Sequence, residues 1–270
     1  MSPSVAAYNG KLYAFGGMFG DSRGYYDPIY DGDTFRMHNS AVCYDIASGK
    51  WSSISSLPDG DMCGGKTFIY KKKIYIVGGR ASKENPSPAQ ASPPGCRYSF
   101  KRVLPVWRRI LAYDPFTDTY EYVSDIPRDT DSLIGYGIVV VGDMMYLIGG
   151  SHYCPCGKLG LIKCRCDIQK TVLGLHLPTR RWGTDFPELQ YPRKACSPFY
   201  DGHTIQVVGG HDEKEYKSVT QYLAIDEFDF HTYRWASVDK APLGATFQTV
   251  QLPAPYSLMC KAVEMNKRCR

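Results

Sequence analysis

Lys73-Ile-Tyr-Ile-Val-Gly-Gly79 is an apolar run closed by two glycines, and the chain writes this phrase four times. The other versions are Lys11-Leu-Tyr-Ala-Phe-Gly-Gly17, Met145-Tyr-Leu-Ile-Gly-Gly150 and Thr204-Ile-Gln-Val-Val-Gly-Gly210. β-Branched and aromatic residues in such runs predict strands buried on both faces. The pairs Gly16-Gly17, Gly78-Gly79, Gly149-Gly150 and Gly209-Gly210 supply positive φ, or a close backbone approach, where each strand ends. They recur at intervals of 62, 71 and 60 residues, a period that marks one supersecondary unit repeated around or along an axis.

Downstream of each glycine pair comes an aromatic anchor: Trp51, Tyr120, Trp182 and Trp235. Six residues before the anchor stands an Asp that follows an aromatic: Tyr44-Asp45, Tyr113-Asp114 and Phe228-Asp229. The third unit departs, with Leu175-His176. Turn formers lie between, so each stretch reads strand, tight turn, strand, with the Asp able to cap the turn. Ahead of each glycine pair is another strand and turn, as in Ser4 to Gly10 and Tyr136 to Asp143. Asn9-Gly10 is a strong hairpin signal. Four short strands per unit, a to d, joined by hairpins, make a propeller blade.

Together these marks resemble the kelch-repeat β-propeller family: the double glycine, a tyrosine three residues before it, the Tyr-Asp pair and the spaced tryptophan. Tyr13, Tyr75 and Tyr146 match that tyrosine; Gln206 stands there in the fourth unit, with Ile205 able to fill the place across a bulge. The resemblance covers roughly residues 3–240. It implies an all-β fold, one kelch propeller domain over 1–270 with four-stranded blades near 1–58, 59–127, 128–187 and 188–242. The remainder, 243–270, holds a partial fifth blade and tail, in Gly244-Ala-Thr-Phe-Gln-Thr-Val-Gln251 and Tyr256-Ser-Leu-Met-Cys260. The expectation is a partial propeller: a piece of a larger ring, or a ring that closes irregularly.

The 270 residues suffice for a sizeable core. No apolar stretch approaches the ~18 residues of a membrane span. Met1-Ser-Pro-Ser4 runs directly into strand residues, which is not a signal-peptide pattern. Ten cysteines without such a leader suit a reducing cytosol, so a cytoplasmic location is expected. The net charge of +5 is local: residues 80–109 alone sum to +6.

From each anchor to the second glycine of the next unit is nearly constant, 28, 30 and 28 residues. From the second glycine to the anchor is not: 34, 41, 32 and 25. The variation therefore falls between strands b and c, and in an antiparallel blade those connections leave one end of the propeller. Long loops on a rigid scaffold are where binding function resides. The first loop, Met18 to about His38, is acidic and aromatic, with Tyr25, Tyr26, Tyr30 and Asp31 as candidate contacts to a basic peptide. Self-packing of those tyrosines is the bland alternative. The second loop has a Pro/Ser/Ala-rich part, Ser82 to Gly95, and then interleaves cations and aromatics in Arg97, Phe100, Arg102 and Trp107. That composition suits an acidic protein surface and also a phosphate backbone. A protein, not nucleic acid or a membrane, is the expected partner.

The third loop carries Cys154-Pro-Cys156 and Cys164-Arg-Cys166. Four thiolates on one short hairpin could hold a structural zinc. C-x-C is tighter than the usual C-x2-C, and redox pairing or free thiols remain alternatives. His38, His152 and His211 stand at loop starts, and His211 joins the candidate partner-binding set. A few kelch-like propellers are enzymes, among them copper galactose oxidases and a bacterial sialic-acid epimerase, so a sugar-active enzyme is the alternative reading. No catalytic residue is assigned, because no spacing here demands acid/base or metal chemistry. The expected function is non-catalytic protein recognition through the b–c face. The resemblance implies a substrate receptor of cullin-based ubiquitin ligases, which would require a BTB or F-box segment beyond these residues, or a cytoskeletal scaffold.

Overall fold

The computed structural model describes residues 3–20, 35–81, 107–127, 133–152, 168–215, 218–221 and 224–240. They form four successive four-stranded antiparallel sheets, and no helix occurs among them. The first sheet is β1 (Ser4–Tyr8), β2 (Lys11–Gly20), β3 (Phe35–Asp45) and β4 (Lys50–Ile54), paired in that order. The second unit contains β5 (Met62–Cys63), β6 (Lys66–Tyr70), β7 (Lys73–Val77), β8 (Arg80–Ala81), β9 (Arg109–Asp114) and β10 (Thr119–Asp125). Here β6-β7-β9-β10 make the sheet, while β5 and β8 pair as a short rung.

The third unit repeats this plan with β11 (Leu133–Ile134), β12 (Gly137–Val141), β13 (Met144–Ile148), β14 (Ser151–His152), β15 (Val172–His176) and β16 (Arg181–Gly183). Its sheet is β12-β13-β15-β16 and its rung β11-β14. The fourth has β17 (Ser197–Tyr200), β18 (Thr204–Val208), β19 (His211–Glu215), β20 (Ser218–Gln221), β21 (Ala224–Asp229) and β22 (Arg234–Lys240). Its sheet is β17-β18-β21-β22, with β19-β20 a separate hairpin.

The first strands of neighbouring sheets touch, β1 with β6, β6 with β12 and β12 with β17, so the sheets are arrayed face to face as in a β-propeller. Three apolar clusters fill the three spaces between them. Tyr13, Phe15, Ala41 and Cys43 of the first sheet meet Ile74, Ile76, Leu111 and Tyr113 of the second. Tyr75, Val77, Ile110 and Ala112 meet Met145, Leu147, Leu173 and Leu175. Tyr146, Ile148 and Val172 meet Ile205, Val207, Phe228 and Trp235. Each fully buried side chain of this size contributes about 1.5–3 kcal/mol, so the inter-sheet seams hold the array together.

The expected burial on both faces holds for β7 and β13, the second strands of the two interior sheets. In β2, Leu12 and Ala14 are only half-buried, and β18 alternates between buried and half-buried. The reason is positional: among the described residues the first and fourth sheets each pack on one neighbour. The bulge that would bring Ile205 into the tyrosine position does not form. β18 keeps unbroken register with β17 and β21, and Gln206 itself occupies the position, donating to Asp201 Oδ2 at 3.1 Å and Glu227 Oε2 at 3.3 Å.

The tight turns all gather at one end. The a–b turns are two or three residues long and the c–d turns four. Asp caps them as expected: Asp45 accepts from the Ser48 amide at 2.8 Å, Asp114 from Phe116 at 2.9 Å and Asp229 from His231 at 2.7 Å. In the third unit His176 Nδ1 takes the same place with the Thr179 hydroxyl at 2.8 Å.

Candidate interaction face

The opposite end is built from the glycine pairs. The first glycine of each pair has φ between +55° and +66°, the second between +88° and +130°. Two of them show what the conformation accomplishes. A Cβ on Gly16 would fall on the Met62 carbonyl oxygen, and one on Gly149 on the Arg193 carbonyl oxygen. The strand can therefore turn only where the segment entering the next sheet passes directly over it.

Beyond the glycines the chain makes one antiparallel rung before its b–c connection leaves. Met62↔Ala81 and Cys63↔Arg80 form it in the second unit, Leu133↔His152 and Ile134↔Ser151 in the third, and a Lys194↔His211 bridge in the fourth. In the first unit the b–c hairpin itself runs on, pairing Gly17↔His38, Met18↔Met37, Phe19↔Arg36 and Gly20↔Phe35. Met18–Gly20 and Phe35–His38, expected as loop, are thus strand.

From Gly20 to Phe35, from Ala81 to Arg109 and from His152 to Val172, the three long connections leave this same end. Tyr25, Tyr26, Tyr30, Asp31, Arg97, Phe100 and Arg102 lie in them, outside the described residues. So do Cys154, Cys156, Cys164 and Cys166. Cys43, Cys63 and Cys196 are buried thiols that form no disulfide. Among the described residues no group of three or more His, Cys, Asp or Glu could hold a metal ion.

Trp107 corrects an expectation. It was to stand exposed on this face, yet it is only 4 % accessible and belongs to the cluster between the first two sheets. Its amide donates to the Gly79 carbonyl at 2.9 Å, so it closes the second loop onto the glycine pair. The neighbouring cations are also in structural use: Arg108 Nε donates to the Ile126 carbonyl at 2.9 Å, and Arg109 pairs with Asp59. The strong basic character assigned to residues 80–109 is therefore partly spent on the scaffold.

The remaining candidates are distributed around the end rather than gathered. His38 Nδ1 lies 2.6 Å from the Ser40 hydroxyl, and His211 is held by its backbone to Lys194. Lys66, at the start of the second sheet's innermost strand, has its ammonium pKa lowered by burial, with the nearby Cys196 pushing the other way. Burial pushes the Cys196 thiol up to about 11.

Sequence reasoning missed the buried ion pair behind this face. Arg193 and Asp226 are both 0 % exposed and 2.6 Å apart. Arg193 Nη1 also donates to the Gly209 carbonyl at 3.0 Å, while Ser237 Oγ donates to Asp226 Oδ1 at 2.7 Å. Arg193 and Asp226 are 33 residues apart in the chain, and no local pattern announces their meeting.

No family model matches the chain, and no curated protein matches it. Among solved structures it is similar to one described as "Structure of YjhT", at 16 % identity over 90 % of this chain and 71 % of that one, with a TM-score of 0.63. A likeness at that identity supports the propeller-like fold alone.

Proposed function

We propose that the chain is a kelch-type propeller acting as a non-catalytic recognition module, which takes a partner protein on its b–c face. One observation carries the reading. The three longest connections leave the end marked by the glycine pairs, while every turn at the other end is four residues or fewer. A rigid array with short turns on one side and long segments on the other is a scaffold presenting loops. Tyr25, Tyr26, Tyr30 and Asp31 would grip a basic segment, with Arg97, Phe100 and Arg102 selecting acidic groups. The four-cysteine loop would hold its shape through a structural zinc, read directly by metal analysis of the purified protein. As a finer reading, the module serves as a substrate receptor or scaffold in a ubiquitin-ligase or cytoskeletal assembly in the cytoplasm.

Affinity capture from a cell lysate, comparing the intact chain with one whose 21–34, 82–104 and 153–167 segments are replaced by short linkers, tests the reading. Partners held by the first and lost by the second support it. Equal capture by both refutes the b–c face as the recognition site.

A further inference from the structure

The outer edges of the four sheets are β4, β10, β16 and β22, and among the described residues none of them pairs with a further strand. Such an edge displays unpaired N–H and C=O groups, and folded proteins blunt it with bulges, short strands and charge. Three of the four are blunted in this way. β10 slips register between Tyr122 and Ser124, where Val123 is the extra residue, and it carries Glu121 and Asp125. β22 slips likewise, with Val238 extra between Ser237 and Asp239. β16 makes only three cross-strand pairs.

β4 is different. Lys50 to Ile54 pair with β3 in five consecutive steps without a bulge, and Lys50, at the first position, is the strand's only charged residue. Lys50, Trp51, Ser52 and Ser53 are all exposed, and Trp51 is 62 % accessible. The Trp51 ring lies 5.0 Å from that of Tyr44 on the neighbouring strand. One outer edge is thus straight, nearly uncharged and flanked by an aromatic, the form to which another strand adds.

We propose that β4 pairs antiparallel with β4 of a second copy about a two-fold axis at Ser52, joining the two first sheets into one continuous sheet. Self-complementarity selects this occupant. Trp51 stands opposite Ser53 of the second copy and Lys50 opposite Ile54, so no like charges face each other. The two Trp51 side chains share one face of the joined sheet as diagonal neighbours, about 7–8 Å apart, a gap that aromatic rings span. The Tyr44–Trp51 pair of each copy then continues into one aromatic row across the axis. A two-fold contact of this kind is closed, so assembly stops at the dimer. Two five-residue edges place it at the small end of specific interfaces, in the weak, reversible class.

Sedimentation velocity of the full-length chain, from low to high micromolar protein, is run beside Ser52→Lys, Ser52→Asp and an equimolar mixture of the two. The parent is expected to shift from one copy to two as concentration rises, with amide exchange in residues 50–54 slowing several-fold. Each variant alone is expected to stay single, because like charges meet at the axis. The mixture sets Lys against Asp and is expected to recover the dimer, while unchanged melting temperatures verify that both variants fold. A parent that stays single overturns the proposal and leaves the edge to a different chain; a parent that grows past two copies also overturns it. So does a variant that dimerises as the parent does, or a mixture of folded variants that does not.

Discussion

Replacing Arg193 by Met should be among the most damaging single changes this chain can suffer at a site remote from its long loops. The methionine keeps most of the side chain's volume and removes its charge. It leaves the Asp226 carboxylate, 0 % exposed, with the Ser237 hydroxyl but no cation, and strips the Gly209 carbonyl of its donor. Two charge-assisted hydrogen bonds at about 1.5–3 kcal/mol each sum to about 3–6 kcal/mol. Breaking one side of a buried ion pair independently suggests about 3–5 kcal/mol. At about 3 °C per kcal/mol for a chain of this size, Arg193→Met should lower the melting temperature by about 9–15 °C. Thermal unfolding followed by far-ultraviolet circular dichroism reads the shift. The control is Arg193→Met with Asp226→Leu, which removes the stranded charge and should recover most of the loss. A single variant that melts within a few degrees of the parent would refute the reasoning. So would a double variant as unstable as the single.

Gly149→Ala puts a methyl group on the Arg193 carbonyl at φ +64°, whereas Gly142→Ala, at φ +59°, meets nothing within 4 Å. Urea unfolding should show a loss of about 1–2 kcal/mol for the second, the cost of left-handed backbone alone, and a clearly larger loss for the first. The Cys196 thiol, ordinarily near 9.0, is pushed up to about 11 by burial, so the folded state holds a proton that the unfolded chain releases sooner. Its contribution is complete below pH 9 and is lost as pH rises toward 11, on the order of 2–3 kcal/mol; Cys196→Ala should flatten that alkaline limb of the melting profile. On the acid side, the His231 backbone amide holds the Asp229 carboxyl below its usual range. The stability this adds is present above the ordinary carboxylate pKa and fades as pH falls, a dependence that Asp229→Asn should reduce in acid titrations. Tyr26→Ala with Tyr30→Ala should weaken partner capture and leave the melting temperature nearly unchanged; a large fall in melting temperature would show that those rings pack the loop instead.

Much of the architecture was readable from the sequence because its signals are local. A double glycine after an apolar run forces a chain reversal, and Asp45, Asp114 and Asp229 cap turns within three residues of themselves, so a one-dimensional pattern suffices. The third unit was harder only because His176 performs the same capping with different chemistry. What the pattern could not convey was contact between units. Trp107 sits in a stretch rich in Arg and aromatic residues, which reads as a sticky surface, yet it fills a seam between sheets. Its burial depends on how two sheets approach, and alternation along a single strand carries no such information. The same holds for Arg193 and Asp226, whose charges alone suggest a surface. Gln206 errs the other way: Ile205 was expected to fill the tyrosine's place across a bulge, yet Gln206 keeps the position and is satisfied there by Asp201 and Glu227.

Among the described residues, the outward faces of the first and fourth sheets differ in polarity. The first sheet ends in Leu12, Tyr44 and Trp51; the fourth carries Gln206 and Glu227 where interior sheets place residues such as Tyr75 and Ala112. An open stack with sticky surfaces at both ends would add copies head to tail without limit, since a heterologous contact that fails to close generates filaments. Docking Trp51 of one molecule onto Glu227 of another would strip water from a carboxylate and return no cation. Among the described residues, the fourth sheet's outward face is therefore a poor acceptor for the aromatic edge of a second copy.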